Sequence, residues 1–487
     1  MNEKILNLQP APVWAWFKEV LNIPRPSKKE DKIIAFLLDF GKKHNLETLQ
    51  DEVGNVLIRK PATPGMENRK PVVLQSHVDM VCEKNSDKTH DFENDPIETV
   101  IKDGWVYANG TTLGADDGIG IAAQLAVLAS KDIEHGPVEC LFTVDEETGL
   151  TGAFGLKPGF LKSEILLNLD SEDEGQLYIG CAGGQDTLAW LPYEKEKIPE
   201  GYAAFRIMVS GLKGGHSGDD INKGRGNANK LLNRFLWETK DELGLKLSSF
   251  DGGNLRNAIA REAFAIVLVP EDKEPDLNEF VQNYQEIFRS EYHITEPELR
   301  FDWSKTDMPD HCVADESVFK LLNALYACPH GVIAMSQDIE NFVETSTNLA
   351  SVKFEEKEIL ITTSQRSSVE SEKTDVVNMV ASVFHLVGAK IEQSDGYPGW
   401  TPNPGSKIVE ITAQSYKKLF NTQPEVLAIH AGLECGLIGD KYPGMDMVSF
   451  GPTIKGAHSP VEGIEIKSVL KFWDLTLDVL KNIPEKK

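Results

Sequence analysis

Short apolar runs alternate with stretches of helical periodicity over the first third of the chain, and each run ends on acidic residues or histidine. Val13-Trp14-Ala15-Trp16-Phe17 predicts a helix that Pro24-Arg25-Pro26 stops, and Ser27-Lys28-Lys29-Glu30 reads as a capping box opening a second helix to about Lys43. Pro71–Gln75, Val138–Val144 and Ile165–Leu169 predict short buried strands, with a helix over Gly118–Lys131 between the first two. Alternating strands and helices imply an α/β sheet covered on both faces.

After the glycines of Gly180-Cys181-Ala182-Gly183-Gly184 the pattern changes. Ala203–Val209, Asn227–Leu243, Ala258–Val269 and Leu277–Tyr292 predict a strand, a helix, a strand pair and a helix. Ser317–Ala327, Thr347–Phe354, Glu358–Arg366 and Asp375–Val387 predict a similar second set, which raises an internal duplication. Tyr397–Gly405, rich in proline and glycine, reads as a linker. Beyond it, helices over Ser406–Phe420 and Ile466–Leu480 and strands near Glu425–Ile429 and Met445–Phe450 are placed to complete the first sheet. The expectation is a mixed-sheet α/β catalytic domain with helices on both faces, formed by residues 1–184 and 399–487. An α+β lid domain, residues 185–398, is inserted in it.

A chain of 487 residues exceeds what one core organises, in keeping with two or three domains. Fifty basic against 76 acidic residues leave a net charge of −26. That balance argues against nucleic acid or an anionic membrane as partner. The N-terminal residues contain no long apolar run and no stretch reaches membrane-span length, so a cytoplasmic protein is expected. Cys82, Cys140, Cys181, Cys312, Cys328 and Cys435 are scattered without a CxxC, which speaks against a disulfide framework or a thiolate metal site.

The chemistry lies where the strands end. His77 and Asp79 follow the first, Glu146 and Glu147 the second, and Asp170 the third, as ligand sites do in open α/β sheets. Asp116-Asp117 opens the helix between, and His458 comes far downstream. Taken singly, each has a plainer reading: a surface His-Asp pair, a helix cap, a solvated acidic loop, a turn histidine. Together, His77, Asp116, Glu147, Asp170 and His458 form a set of nitrogen and oxygen ligands suited to two divalent metals, with a carboxylate to bridge them. Asp79 is placed to hold the His77 imidazole, and Glu146 is left as a general base. One carboxylate of Asp116-Asp117 suffices for a cap, which frees the other for metal.

Ser-His-Val-Asp (76–79), Gly-Ala-Asp-Asp-Gly (114–118), Asp-Glu-Glu-Thr-Gly (145–149), Leu-Asn-Leu-Asp (167–170) and Ala-His-Ser-Pro (457–460) resemble the motifs of the dinuclear zinc peptidases of the carboxypeptidase-G and aminoacylase type. The resemblance spans essentially the whole chain and is strongest to dipeptidase members; a late Asp170, rather than Glu, points the same way. It implies that Asp116 bridges, that His77 and Asp170 complete one metal site and Glu147 and His458 the other, and that the Asp116–Asp117 peptide is cis. It implies substrate contacts from His216 in Gly-Gly-His-Ser-Gly, from Asn257, from Arg366 toward a carboxylate, and from the His430–Glu434 turn, with Glu434 toward the substrate amino end. The implied activity is hydrolysis of unblocked dipeptides with broad preference, including Xaa-His dipeptides such as β-alanyl-histidine. Two zinc ions are implied, with manganese or cobalt compatible, and a homodimer. An N-acyl amino acid deacylase or a tripeptidase is the alternative on the same scaffold. A non-catalytic metal-binding protein is opposed by the presence of Glu146 and all five ligands.

Overall fold

The computed structural model describes residues 2–486 and divides the chain into two compact units. Met1–Gly180, Pro402–Ala428 and Leu433–Lys487 bound the first; Cys181–Thr401 and Ile429–Gly432 form the second. No helix among the described residues is long and apolar enough to cross a membrane.

The first unit is built on an eight-stranded sheet in the order Glu47–Gln50, Val56–Lys60, Val138–Thr143, Val72–His77, Ile165–Asn168, Asp446–Ser449, Gln176–Cys181, Glu425–Ile429. The four strands from Val138–Thr143 to Asp446–Ser449 run parallel. Every residue of Val72–His77, Val138–Thr143 and Ile165–Asn168 is buried, which requires cover on both faces and explains why these strands read as unbroken apolar runs. The helix Ala115–Ala129, small and apolar almost throughout, packs between the helix Ala11–Leu21 and the strand Val72–His77. A separate small sheet, in the order Ile454–Lys455, Gly463–Glu465, Trp105–Ala108, Thr99–Lys102, leaves no mark in the apolar pattern because its strands are so short.

The second unit holds a large antiparallel sheet in the order Arg300–Lys305, Tyr202–Ser210, Ala263–Pro270, Lys246–Gly252, Val343–Phe354, Glu358–Ser367, Gly183–Pro192, Lys390–Gln393, besides a two-stranded one of Lys195–Glu196 and Cys312–Val313. Gly331–Met335 also pairs with Val343–Phe354. Helices Ala228–Leu243, Glu274–Tyr292, Asp315–Ala327 and Glu370–Leu386 share a single core with the sheet's buried side chains, among them Phe205, Phe250, Val267, Ile361, Phe235, Phe288, Leu321 and Phe384. Apart from Gly331–Met335, two halves of this sheet follow one path, strand-helix-strand-strand-helix-strand. The half spanning 202–305 lies in sequence between the first strand and first helix of the other. They meet where Asp251 and Gly252 pair with Lys353 and Val352.

Three local expectations change. The capping box does not form: the second helix is Asp31–Lys43, and the Ser27 hydroxyl donates instead to Asp79 Oδ2 at 2.8 Å. Glu30 accepts from the Lys28 and Asp145 amides rather than reaching back to Ser27. Within 258–269 only Ala263–Pro270 is a strand, and its partner is Lys246–Gly252; the Ile259 amide donates to Gly215 and Ala258 bridges to His216. Tyr397–Gly405 is more than a tether, because Tyr397 and Trp400 pair with Gly184 and Cys181.

Candidate metal centre and substrate-facing residues

His77 ends its strand opposite Thr143 on the parallel neighbour, so the loop Val144–Glu147 leaves the sheet beside it. Asp170 stands two residues past the end of the third strand. Asp116 opens the helix Ala115–Ala129 with non-helical backbone (φ −78°, ψ 115°), after Gly114 at φ +67° and before a cis Asp116–Asp117 peptide. Gly114 has no room for a side chain, since a Cβ there would lie 2.7 Å from the Arg25 guanidinium and 2.8 Å from Met80 Sδ.

These segments converge. His77 Nε2 lies 3.0 Å from Asp116 Oδ1 and 3.6 Å from Asp170 Oδ1. His458 Nε2 lies 3.1 Å from Asp116 Oδ2 and 2.9 Å from Glu147 Oε2. Ligand atoms of His77, Asp116 and Asp170, and of Asp116, Glu147 and His458, fall within 4.8 Å of one another, and Asp116 is common to both groups. His77, Glu146 and Glu147 form a third such group. Asp79 Oδ1 is 3.3 Å from His77 Nδ1, and Asp79 also accepts from the Glu146 and Glu147 amides at 3.0 and 3.2 Å. One buried carboxylate thus faces the imidazole and holds the backbone of the acidic loop. Asp117 turns away and caps the helix, its Oδ1 accepting from the Gly120 amide at 3.1 Å, so the two adjacent carboxylates divide the work.

The electrostatics are those of a site that needs cations. Burial works to lower His77, yet Asp170, Asp116 and Asp79 outweigh it and raise it well above an ordinary imidazole. Hydrogen bonds to Asp116 and Glu147 push His458 up to about 11. Burial raises Glu146 well above the usual carboxylate range; His77 opposes this, and Asp170, Glu147 and Glu434 add to it. Glu147 Oε1 is buried without a hydrogen-bond partner among the described residues. Clustered carboxylates that hold protons on nearby imidazoles, one with an orphaned oxygen, fit divalent ions, and the all-N/O donor set suits zinc, manganese or cobalt alike.

The other candidates lie in the second unit. His216 Nδ1 accepts from the Gly218 and Asp219 amides at 3.3 and 3.2 Å, which leaves the hydrogen on Nε2. Burial and the Arg366 charge lower its pKa and favour that neutral form. Gly218 is held against the carbonyl of His430, 1.9 Å from where a Cβ would stand, so the two loops nest only with glycine there. His430 is buried and shares a 2.7 Å hydrogen bond with Ser346 Oγ. Arg366, 6% exposed, donates from Nε to Ser217 Oγ (3.3 Å) and from Nη1 to Tyr397 Oη (2.9 Å). It makes no ion pair within 4.0 Å among the described residues. Asn257 is exposed, and its carbonyl accepts from the Ser217 amide, bracing the His216 loop.

Glu434 departs from the expectation of a residue open to a substrate ammonium. It is fully buried in the first unit, where its Oε2 accepts from Gln75 Nε2 and Thr143 Oγ1, both at 2.6 Å. From Gln75 a polar chain continues through Asn168 to Ser449 beneath the strand ends. Sequence reasoning also passed over Arg25, Ser217, Ser346, Tyr397 and Glu462. Arg25 sits in a proline-flanked triplet and Glu462 four residues after His458, and nothing in their surroundings marks them as buried.

Residues 73–482 match the model of Peptidase family M20/M25/M40, and the chain belongs to that family. The cytosol non-specific dipeptidase of Escherichia coli (strain K12) is 46% identical over 99% of this chain and all of its own. The crystal structure of aminoacylhistidine dipeptidase from Vibrio alginolyticus is 47% identical, covers the whole of both chains and superposes with a TM-score of 0.91. The aminopeptidase PepT structure from Bacillus cereus, 16% identical over 98% of this chain and 99% of its own, shares the fold with a TM-score of 0.58. The fold is therefore that of a metallopeptidase catalytic domain carrying a lid domain.

Proposed function

We propose that this protein is a dinuclear-metal dipeptidase that hydrolyses unblocked dipeptides over a broad range, Xaa-His dipeptides among them. The observation that carries the reading is Asp116 presenting one oxygen to His77 and the other to His458, in a chain nearly half identical, end to end, to two dipeptidases. His77, Asp116 and Asp170 would hold one ion and Asp116, Glu147 and His458 the second, with zinc the leading candidate.

Bound there, a divalent pair supplies an acidified water and a Lewis acid for the scissile carbonyl. Glu146, which belongs to neither of the groups that share Asp116, would take the proton from the attacking water and return it to the leaving amine. Asp79 faces the His77 ring and accepts from the Glu146 amide, from where it would orient ligand and base together. His216, with its hydrogen on Nε2, donates to the carbonyl oxygen as negative charge develops there. Arg366, buried and without an ion pair among the described residues, would receive the substrate carboxylate, with Tyr397 and Ser217 holding its fork in place. Asn257 and His430 support the loops around these groups. Glu434 acts from below, tying the strand ends that carry His77 and Glu146. A homodimer acting on small peptides in the cytoplasm is the setting this reading favours.

The test is hydrolysis of β-alanyl-histidine, leucyl-glycine, a tripeptide and an N-acetyl amino acid by chelator-stripped protein restored with zinc, manganese or cobalt. Metal-dependent cleavage of the dipeptides supports the reading and ranks the metals. Preference for the acetylated substrate or the tripeptide would move the chain to the alternative activities. No turnover with any metal would refute it.

A further inference from the structure

Between the two histidine ligands lies a contact that belongs to neither. Glu462 is 2% exposed, and its carboxylate is surrounded by the backbone of the Asp116 turn. Oε2 accepts from the amides of Leu113 and Gly114 at 2.7 and 2.9 Å; Oε1 accepts from Ala115 at 2.7 Å and, more weakly, from Asp116 at 3.4 Å. Four consecutive amides converging on one carboxylate make an anion nest. The nest is filled from the loop that carries His458. That loop joins Ile454–Lys455 to Gly463–Glu465, and the latter strand pairs with Trp105–Ala108, from which the chain runs on to the Asp116 turn. Two adjacent strands of the small sheet therefore deliver Asp116 and His458, and Glu462 joins the two loops above them.

The carbonyl side of the same turn is held separately. Arg25, 1% exposed, donates to the Gly114 carbonyl and to the carbonyls of Val78 and Asp79 at 2.9 and 2.6 Å. Arg25 registers the turn against the exit of the His77 strand, and Glu462 registers it against the His458 loop.

We infer that Glu462 is a positioning residue for the metal centre, locking the Asp116 turn to the His458 loop so that the ligands of the Asp116–Glu147–His458 site arrive as one unit. This rests on the metal-centre reading above. Residues behind a ligand that fix its direction commonly control metal affinity by 10–100-fold. An ordinary loop brace would act on folding instead. The two roles separate when metal affinity is compared with the melting of the metal-free protein. The effect should also be unequal between the two ions: both share Asp116, but the Glu147–His458 site also loses the register of its histidine loop, whereas His77 and Asp170 stand at or just past strand ends that Glu462 does not touch.

The experiment is a stepwise Co2+ titration of chelator-stripped protein, followed by visible absorption and competition with a chelator, beside thermal melting of the metal-free form. Glu462→Gln keeps the shape but turns an amide NH2 toward backbone N–H groups. Glu462→Asp keeps the charge on a shorter arm. Expected is a fall of about 10–100-fold in the affinity of one Co2+ in Glu462→Gln, with an altered spectrum for that ion. The other ion, which shares Asp116, should weaken clearly less, the metal-free melting temperature should hold, and Glu462→Asp should recover part of the loss. Unchanged affinities and spectra would overturn the inference, as would a common fall for both ions with a lowered metal-free melting temperature. Failure of both variants to fold would assign the carboxylate to folding and overturn it too. If the unsubstituted protein takes up no Co2+, the metal-centre reading fails with it, whereas two-ion uptake with matching variants refutes only the role of Glu462.

Discussion

Asp116 divides its carboxylate between two imidazoles, Oδ1 3.0 Å from His77 Nε2 and Oδ2 3.1 Å from His458 Nε2. One side chain thus belongs to both candidate metal sites, and neither is complete without it. Asp116→Asn replaces one oxygen by an amide nitrogen that cannot ligate. Affinity for both ions should drop by at least about 100-fold, the upper end of what more remote changes cost. Competition against a graded series of chelators checks this; a variant that keeps one tight ion would show that the carboxylate is not shared.

Glu146 belongs to neither of the two groups that share Asp116. Glu146→Gln should therefore bind metal as before and lose about 10²–10⁴ in kcat, the range for a missing acid–base group. Metal content and single-turnover rates on a dipeptide, measured on the same preparation, test the assignment. Activity above about a tenth of the unsubstituted rate would remove Glu146 from the role of base.

Arg366 is buried with two hydroxyl partners, Ser217 and Tyr397, among the described residues, and its remaining N–H groups suit a carboxylate. The protein should favour a dipeptide over the same dipeptide with an amidated C-terminus. Arg366→Lys should erase that preference by raising KM for the free acid, at a cost of about 1.5–3 kcal/mol for a lost charge-assisted contact. Tyr397→Phe, which loosens the fork without removing charge, should act in the same direction by about 0.5–1.5 kcal/mol. Equal kcat/KM for acid and amide in the unsubstituted protein would place the carboxylate elsewhere.

Burial, with the charges of Arg366 and His216, holds His430 down to about 3, below the roughly 6.5 of an unfolded chain. As pH falls, the unfolded form takes up this proton first. Stability is therefore whole above about pH 6.5 and is lost toward pH 3, by up to about tenfold in the folding constant per pH unit. Urea midpoints at pH 7.5 and 4.5 should separate more widely for the unsubstituted protein than for His430→Gln. The same spacing in both would deny His430 a part in acid sensitivity.

The legible part of the site lies where local signals coincide. His77, Glu146, Glu147 and Asp170 could be singled out as candidates because each stands at or just past the end of a buried strand, and a parallel sheet sends such residues to one edge. Ser27 was misread because a capping box is a local pattern, and its hydroxyl found Asp79, 52 residues away. Tyr397 was taken for part of a tether because its partner Arg366 lies 31 residues off along a different strand. Glu434 was expected toward the substrate amino end, and only its hydrogen bonds from Gln75 and Thr143, far away in sequence, show it buried beneath the strand ends.

The sequence by itself determined the types of the elements, the α/β class and the chemical identity of the ligand set, because hydrophobic periodicity and residue chemistry are properties of neighbours in the chain. Tertiary structure decided which carboxylate of Asp116-Asp117 caps and which faces the histidines, which acids are closed off from solvent, and how two strand-and-helix sets join into one sheet. Those outcomes depend on contacts between segments far apart in sequence, Asp116 with His458 and Glu462 with the Leu113–Asp116 amides among them. Their energies appear only when folding has removed water from between them and left each buried polar group to find a partner.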